Sequence, residues 1–420
     1  MKTIVFIKFT PRIRTYKQAL AVKKTGKYKT ILVGINFNKK IFSNAFDTII
    51  DLNPYLTPIF WYKYLSAKIL KKLDSLCKKY PRLKFLEAII EKGEKLCPNK
   101  FIKIIKKMNQ KACLFHTIAE PNFLPALVMK NTTKPVIYDA YDFSGIRYGI
   151  DKLRPTEREE EKVCLENANG ISMKFPQWVL DYYRNLGYKI NCPVLNFIDY
   201  CLPDFFFYKN NKLKKENVHI VYAGGVNPSS APSEYYGNNQ YFDIIKKIIK
   251  QRIYFHLYIP PWQLKRHKSQ YLDYYNLSEQ NEYFILHSGM SQPELQKEIS
   301  QYHFGCHIND FSKTKHTKLF EKTSFGNKFS TYLEAGLPII VADNLKLNAE
   351  WVEKYKVGFK INLQNLKELS PKLKEINYNK LKENVRIVRE GPLNIYNNID
   401  KLANFYEKII SKNQSPNQTE

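Results

Sequence analysis

The chain has 420 residues, 44% of them hydrophobic, with 67 Lys and Arg against 39 Asp and Glu and a formal net charge of +28. That length predicts two domains, and the charge predicts an anionic partner: nucleic acid, acidic lipid or a phosphorylated ligand. Excluded are a bilayer-spanning helix, since no apolar run reaches about eighteen residues, and a zinc knuckle or disulfide framework, since the seven cysteines are odd in number and lack CxxC spacing.

The first half opens with alternating strand and helix patterns. Residues 3–9 (TIVFIKF) read as a strand, too short for the apolar core of a signal peptide and without a small-residue cleavage site, so a cytoplasmic protein is expected. Residues 14–24 read as a helix stopped near Gly26, and 29–35 as a second strand. This opening implies a parallel sheet with helices on both faces. Residues 61–111 differ: they carry fifteen Lys or Arg and four Asp or Glu, with Leu65, Ile69, Leu73 and Leu76, then Leu83, Leu86, Ile89 and Ile90 at helical spacing. Basic amphipathic helices suit an acidic membrane surface; ordinary domain helices with solvated Lys faces read the same way.

Later strands are expected at 111–116 (KACLFH), 135–139 (PVIYD) and 170–174 (GISMK), with an acidic helix at 157–167. Glu159, Glu160 and Glu161 are expected on its solvated face. His116 and Asp139 end strands, and Asp142 follows closely. At the carboxyl edge of a parallel sheet such groups meet a cleft, where carboxylates bond sugar hydroxyls or act as general bases, or merely cap the loop.

Residues 209–217 are short, polar and charged, and read as the end of a linker. The predicted division is a first domain over 1–197, a linker over 198–217, a second domain over 218–393, a returning helix over 394–412 and a disordered tail over 413–420. Strand 218–223 runs into Gly224 and Gly225, a bend that lets backbone approach a ligand closely. Strands follow at 254–259, 284–287 and 304–308, and Ser291 with Glu294 has the spacing of a capping box. A loop from Asn309 to Asn327 holds Lys313, Lys315, His316, Lys318 and Lys322. The stretch 327–341 (NKFSTYLEAGLPIIV) reads as a helix, a glycine stop at Gly336, a turn at Pro338 and a buried strand. Lys328 sits at the start of that helix, where the dipole and an ammonium both favour a diphosphate.

Four segments together resemble a GT-B fold glycosyltransferase of the broad retaining, nucleotide-sugar superfamily, of the family 4-like kind: 218–226 (VHIVYAGGV), 285–299 (ILHSGMSQPELQKEI), 327–341 and 348–361 (NAEWVEKYKVGFKI). In the first half, 194–199 (VLNFID) and 168–174 (ANGISMK) resemble it more loosely. The resemblance implies an α/β protein of two Rossmann-like domains facing a cleft, with a C-terminal helix crossing back to the first. It implies transfer of a hexose from a nucleotide sugar, with retention and without metal or other cofactor. The donor would lie on the second domain, against Gly224, Gly225, Asn309, Ser330, Thr331 and Glu334, with Lys328 on the leaving phosphate. The acceptor, a glycan or lipid-linked sugar of cell-surface polysaccharide or glycolipid assembly, would lie on the first domain near Asp139, Asp142 and His116. Two features depart from the family pattern. Its donor-site Glu and the partner eight residues earlier fall on Thr331 and Thr323, and no basic residue occurs between Val226 and Lys246. Glu334, one turn on from Thr331, is the nearest substitute carboxylate.

Other readings of the same residues are an inactive binding protein of this fold, a sugar-nucleotide epimerase using Asp139, Asp142 and His116 as acid and base, and a nucleic-acid-binding protein. The last is not expected, because no RNP-like, zinc-finger or basic-heptad pattern accompanies the charge.

Overall fold

The computed structural model describes residues 1–35, 37–52, 99–209, 217–266, 268–323 and 325–414. The basic segment 61–98, part of the linker (210–216) and the end of the tail (415–420) lie outside the described residues.

Short runs of apolar, often β-branched residues build two parallel sheets. The first comprises β1 (Lys2–Lys8), β2 (Tyr28–Gly34), β3 (Thr48–Asp51), β4 (Leu114–Ile118), β5 (Val136–Ala140), β6 (Gly170–Met173) and β7 (Val194–Asn196), in the order β3-β2-β1-β4-β5-β6-β7. The second comprises β8 (His219–Ala223), β9 (Tyr254–Ile259), β10 (Phe284–Ser288), β11 (Phe304–His307), β12 (Ile339–Ala342) and β13 (Gly358–Ile361), in the order β10-β9-β8-β11-β12-β13. Helices cover both faces, which is why the inner strands read as unbroken apolar runs rather than as alternations. Ile339, Ile340, Val341 and Ala342 are all buried.

Seven helices matter below: α1 (Ile13–Lys24), α2 (Ser144–Tyr148), α3 (Pro155–Asn167), α4 (Phe242–Ile249), α5 (Lys318–Thr323), α6 (Lys328–Glu334) and α7 (Ile399–Gln414). The apolar stripe of α4 buries Ile244, Ile245, Ile248 and Ile249, each worth about 2 kcal/mol of transfer free energy. Gly336 ends α6 in the left-handed region at φ 72°, and its amide and that of Leu337 return to Leu333 and Tyr332. The C-terminal helix α7 packs on α1 and β7 of the first domain. It starts at Ile399 rather than at 394, because Asn394 bridges to Cys201 beside the linker.

Each sheet reverses its winding direction at one place, between β1 and β4 in the first and between β8 and β11 in the second. The crevices at the carboxyl ends of those strand pairs are where open α/β sheets take ligands. The two domains touch on either side of the cleft. On one side Lys17 of α1 forms a buried ion pair with Glu334 of α6. On the other, Thr317 donates through its amide to Arg147 O at 3.1 Å and through its hydroxyl to Ile146 O, seating the start of α5 on α2.

Candidate active site

On the second domain, β8 runs into a bend held from below. Tyr222 Oη donates to Gly225 O at 3.1 Å, and Gln263 Nε2 and Tyr271 Oη donate to Val226 O at 2.9 and 2.8 Å. A Cβ at Gly224 would lie 2.8 Å from Lys328 Cε and 3.4 Å from its Nζ, so a larger residue there would push the end of the lysine off the bend. The Lys328 ammonium sits 5.0 Å from the centroid of the Tyr222 ring. Among the described residues it meets no hydrogen-bond or ion-pair partner. Across the crevice, His307 ends β11, buried, with its Nδ1 unpartnered among the described residues. Burial, then Lys328 and Lys174, push its pKa down to about 3, so the ring is neutral.

The first domain presents a charged floor at the opposing strand ends. Lys8 ends β1 and donates to Ala119 O and, at 2.9 Å, to Glu120 O, bridging the switch crevice. Burial lowers its pKa to about 8 against the pull of Glu120, Asp139 and Asp142. Lys174, just past β6, lies 4.0 Å from the centroid of the Tyr141 ring and 3.5 Å from Asp142 Oδ1. Arg147 of α2 stands 3.7 Å from Glu120. Burial, then Asp142, raise the pKa of Glu120, while Arg147, Lys8 and Lys174 oppose the rise.

The structure brings Gly224, Gly225 and Lys328 together and leaves Asp142 at the cleft floor, its side chain 17% exposed. Several other expected site residues are elsewhere. Asp139 is fully buried in an ion cluster: Arg14 donates to both its oxygens at 3.0 and 3.1 Å, Gln18 at 3.1 Å, and His116 Nε2 lies at 3.3 Å. Arg14 also reaches Asp199 at 2.6 Å. Although burial disfavours the charge, Arg14 and His116 outweigh it and hold the Asp139 carboxyl well below the usual range. His116 Nδ1 is 2.6 Å from Tyr406 Oη of α7. Neither residue has a free face for substrate.

Glu334 is likewise no ribose ligand. It pairs with Lys17 and accepts from Leu202 N at 2.8 Å and Gln296 Nε2 at 2.9 Å, fastening the domains together. Ser330 accepts from Lys17 at 3.3 Å and donates to Asn327 O at 3.1 Å. Thr331 also donates to Asn327 O, at 3.1 Å. Asn309 staples Asn238 O and Asn239 Oδ1 at 2.8 and 2.7 Å. In the basic loop, Lys315 pairs with Glu234, Lys318 with Glu321, and His316 stacks on Tyr148 of the first domain. Glu161 is buried rather than solvated, accepting from the amides of Ser144 and Gly145 at 2.7 and 3.0 Å and from Tyr183 Oη at 3.0 Å. Ser291 bonds the Glu294 side chain at 2.9 Å without capping the helix backbone.

Lys8, Glu120, Lys174 and His307 escaped the sequence reading. Each lies at or within two residues of a strand's carboxyl end, the rule that flagged Asp139, so their positions were the available signal.

Residues 234–391 match the family described as glucosyltransferase 3-like, C-terminal domain. No curated protein sequence matches the chain. Among solved structures, the UDP-forming α,α-trehalose-phosphate synthase of Burkholderia xenovorans aligns with a TM-score of 0.60 and 9% identity, over 99% of this chain and 100% of its own. The sucrose-phosphate synthase of Thermosynechococcus elongatus aligns with a TM-score of 0.59 and 12% identity, over 98% and 100%. A glycosyltransferase from Rickettsia africae ESF-5 aligns with a TM-score of 0.57 and 13% identity, over 97% and 98%. Identities this low speak for the fold, two parallel-sheet domains across a cleft.

Proposed function

We propose that this chain, a GT-B glycosyltransferase with a glucosyltransferase 3-like second domain, places the diphosphate of its nucleotide-sugar donor between the Gly224 bend and Lys328. The observation that carries this reading is the Lys328 ammonium, without a hydrogen-bond or ion-pair partner among the described residues and laid over the Gly224 bend. As the bond from the anomeric carbon to the phosphate oxygen breaks, negative charge grows on that oxygen. A fixed ammonium in a water-poor cleft stabilises it without reorganising. Helix α6 spans seven residues, so its dipole is small and the lysine carries most of the effect. The sugar is proposed to leave with retention and without a metal, lysines serving as the cations.

The acceptor is proposed to enter over the first domain, where Asp142 and Glu120 are placed to orient a hydroxyl. Asp139 and His116 are withdrawn from that role, which also removes two of the three groups an epimerase would use. A lipid-linked or anionic acceptor of cell-surface polysaccharide or glycolipid assembly, met at the cytoplasmic membrane face, rests on the basic sequence 61–111. Helices of the described residues are not long and apolar enough to cross a membrane.

The test is thermal unfolding of wild-type protein and Lys328→Ala against UDP-, GDP-, ADP- and dTDP-sugars, followed by transfer assays with the donor that binds. Ligand at a hundred times its Kd adds about 2.7 kcal/mol of stability. Lys328→Ala is expected to lower kcat by about a hundredfold or more. Full transfer rate in that variant would remove the assignment.

A further inference from the structure

Lys328 brings one positive charge to a diphosphate that carries about two, and the second domain offers no basic residue between Val226 and Lys246 beside the glycine bend. The missing charge stands on the other domain. The Lys174 side chain is only 3% exposed. A buried ammonium ordinarily spends its three donors on hydrogen bonds. Here, among the described residues, it makes none. Its neighbours are the Tyr141 ring face at 4.0 Å, the Phe175 ring at 5.5 Å and Asp142 Oδ1 at 3.5 Å. The Asp142 contact is an ion pair without hydrogen-bond geometry. Such a group is costly to bury unless something completes its shell.

Lys174 also lies at the carboxyl edge of the first sheet, one residue past β6, and its charge reaches His307 of the second domain. Lys328 acts on the same ring, whose buried Nδ1 has no partner among the described residues. Two lysines from opposite domains, each without a hydrogen-bond partner among the described residues, thus both act on one neutral imidazole whose Nδ1 is also unpartnered among them.

We infer that Lys174 is a phosphate-binding residue that acts across the cleft, completing with Lys328 the seat of the donor's diphosphate and standing in for the cations absent after Gly225. This rests on the donor reading above. It makes anion binding depend on both domains, so the diphosphate itself draws the first domain onto the second. Asp142 holds the ammonium in place until the phosphate arrives.

The test uses the full chain and three probes: UDP, inorganic pyrophosphate and uridine, by calorimetric titration at two salt concentrations. Lys174→Gln is expected to weaken UDP and pyrophosphate about tenfold or more and to leave uridine unchanged, with a shallower salt dependence. Lys174→Arg should recover most of the loss. Asp142→Asn, which removes the carboxylate that now shares the ammonium, should tighten pyrophosphate, and it serves as the independent variant if Lys174→Gln does not fold. Unchanged UDP and pyrophosphate affinity in Lys174→Gln, with Lys328→Ala weakened, would overturn this assignment and spare the donor reading. So would weaker pyrophosphate binding in Asp142→Asn. Wild-type protein that binds neither pyrophosphate nor any of UDP, GDP, ADP and dTDP would sink both.

Discussion

At the scale of single residues, the carboxylates of this chain divide by what surrounds them. Asp139 and Asp142 are three apart in sequence, yet Asp139 is locked under a bidentate Arg14 while Asp142 reaches the cleft. Replacing Asp139 by Asn strands part of a buried guanidinium charge, and removing one partner of such a pair costs about 3 kcal/mol or more. Urea unfolding should therefore show a clearly lower midpoint for Asp139→Asn, and a midpoint within error of wild type would show the cluster to be dispensable. The same distinction applies to Glu334, read as a ribose ligand from its helical spacing and found bolting the domains together. Spacing placed it on the right helix. Which face of that helix meets the cleft was set by the partner domain, through Lys17 and the Leu202 amide.

At the scale of elements, the inner strands were legible because each is a short apolar run bounded by polar residues or glycine. The edge strands β3 and β7 were not, since neither holds a buried residue and so neither needs an unbroken apolar run. The helix Phe123–Asn131 went unread because Pro125 interrupts it, although proline in the first turn removes a donor that has no helical partner anyway. Pairing of strands also creates features invisible along the chain. Register sets His219 opposite Tyr254 and His287 opposite Tyr258, so His219, His256 and His287 step two residues per strand along one face of β8, β9 and β10, with Nδ1···Nε2 distances of 2.8 and 3.0 Å. Tyr254, Tyr258 and Tyr302 stack against them. Burial, then His219 and His287, push His256 down to about 3; burial lowers His219 and His287 as well, with Glu298 opposing it at His287. Since the folded pKa lies below the unfolded value of about 6.5, the unfolded chain takes up protons first as pH falls. The stability these groups lend is full above about pH 6.5 and is lost on acidification toward pH 3. For His256 the slope approaches about 1.4 kcal/mol per pH unit within that window. Urea unfolding between pH 7.5 and 5 should show a steeper loss for wild type than for His256→Phe; equal slopes would remove the ladder as the cause.

At the scale of the whole molecule, two lobes meet on both sides of a cleft, and the chain carries a net charge of +28. Charge of that size acts on any polyanion within a Debye length, about 10 Å at 0.1 M salt. The chain should sediment with vesicles containing phosphatidylserine at low salt and be released as salt rises. Deleting residues 61–98 should weaken that binding by more than the same number of charges removed elsewhere, and failure of the wild type to bind acidic vesicles would end the membrane proposal. The sequence by itself determined the two parallel sheets, the glycine bend and the Lys328 helix, because each is a local pattern of apolar runs, glycines or charge. Only the tertiary structure decided which polar groups are free to act. Lys174 and the His307 Nδ1 were left without hydrogen-bond partners among the described residues, and Asp139, His116 and Glu334 had theirs taken up, because solvent exposure and charge pairing are set by segments hundreds of positions apart, such as Lys17 and Glu334. A carboxylate becomes strut or site according to the neighbour that folding brings to it.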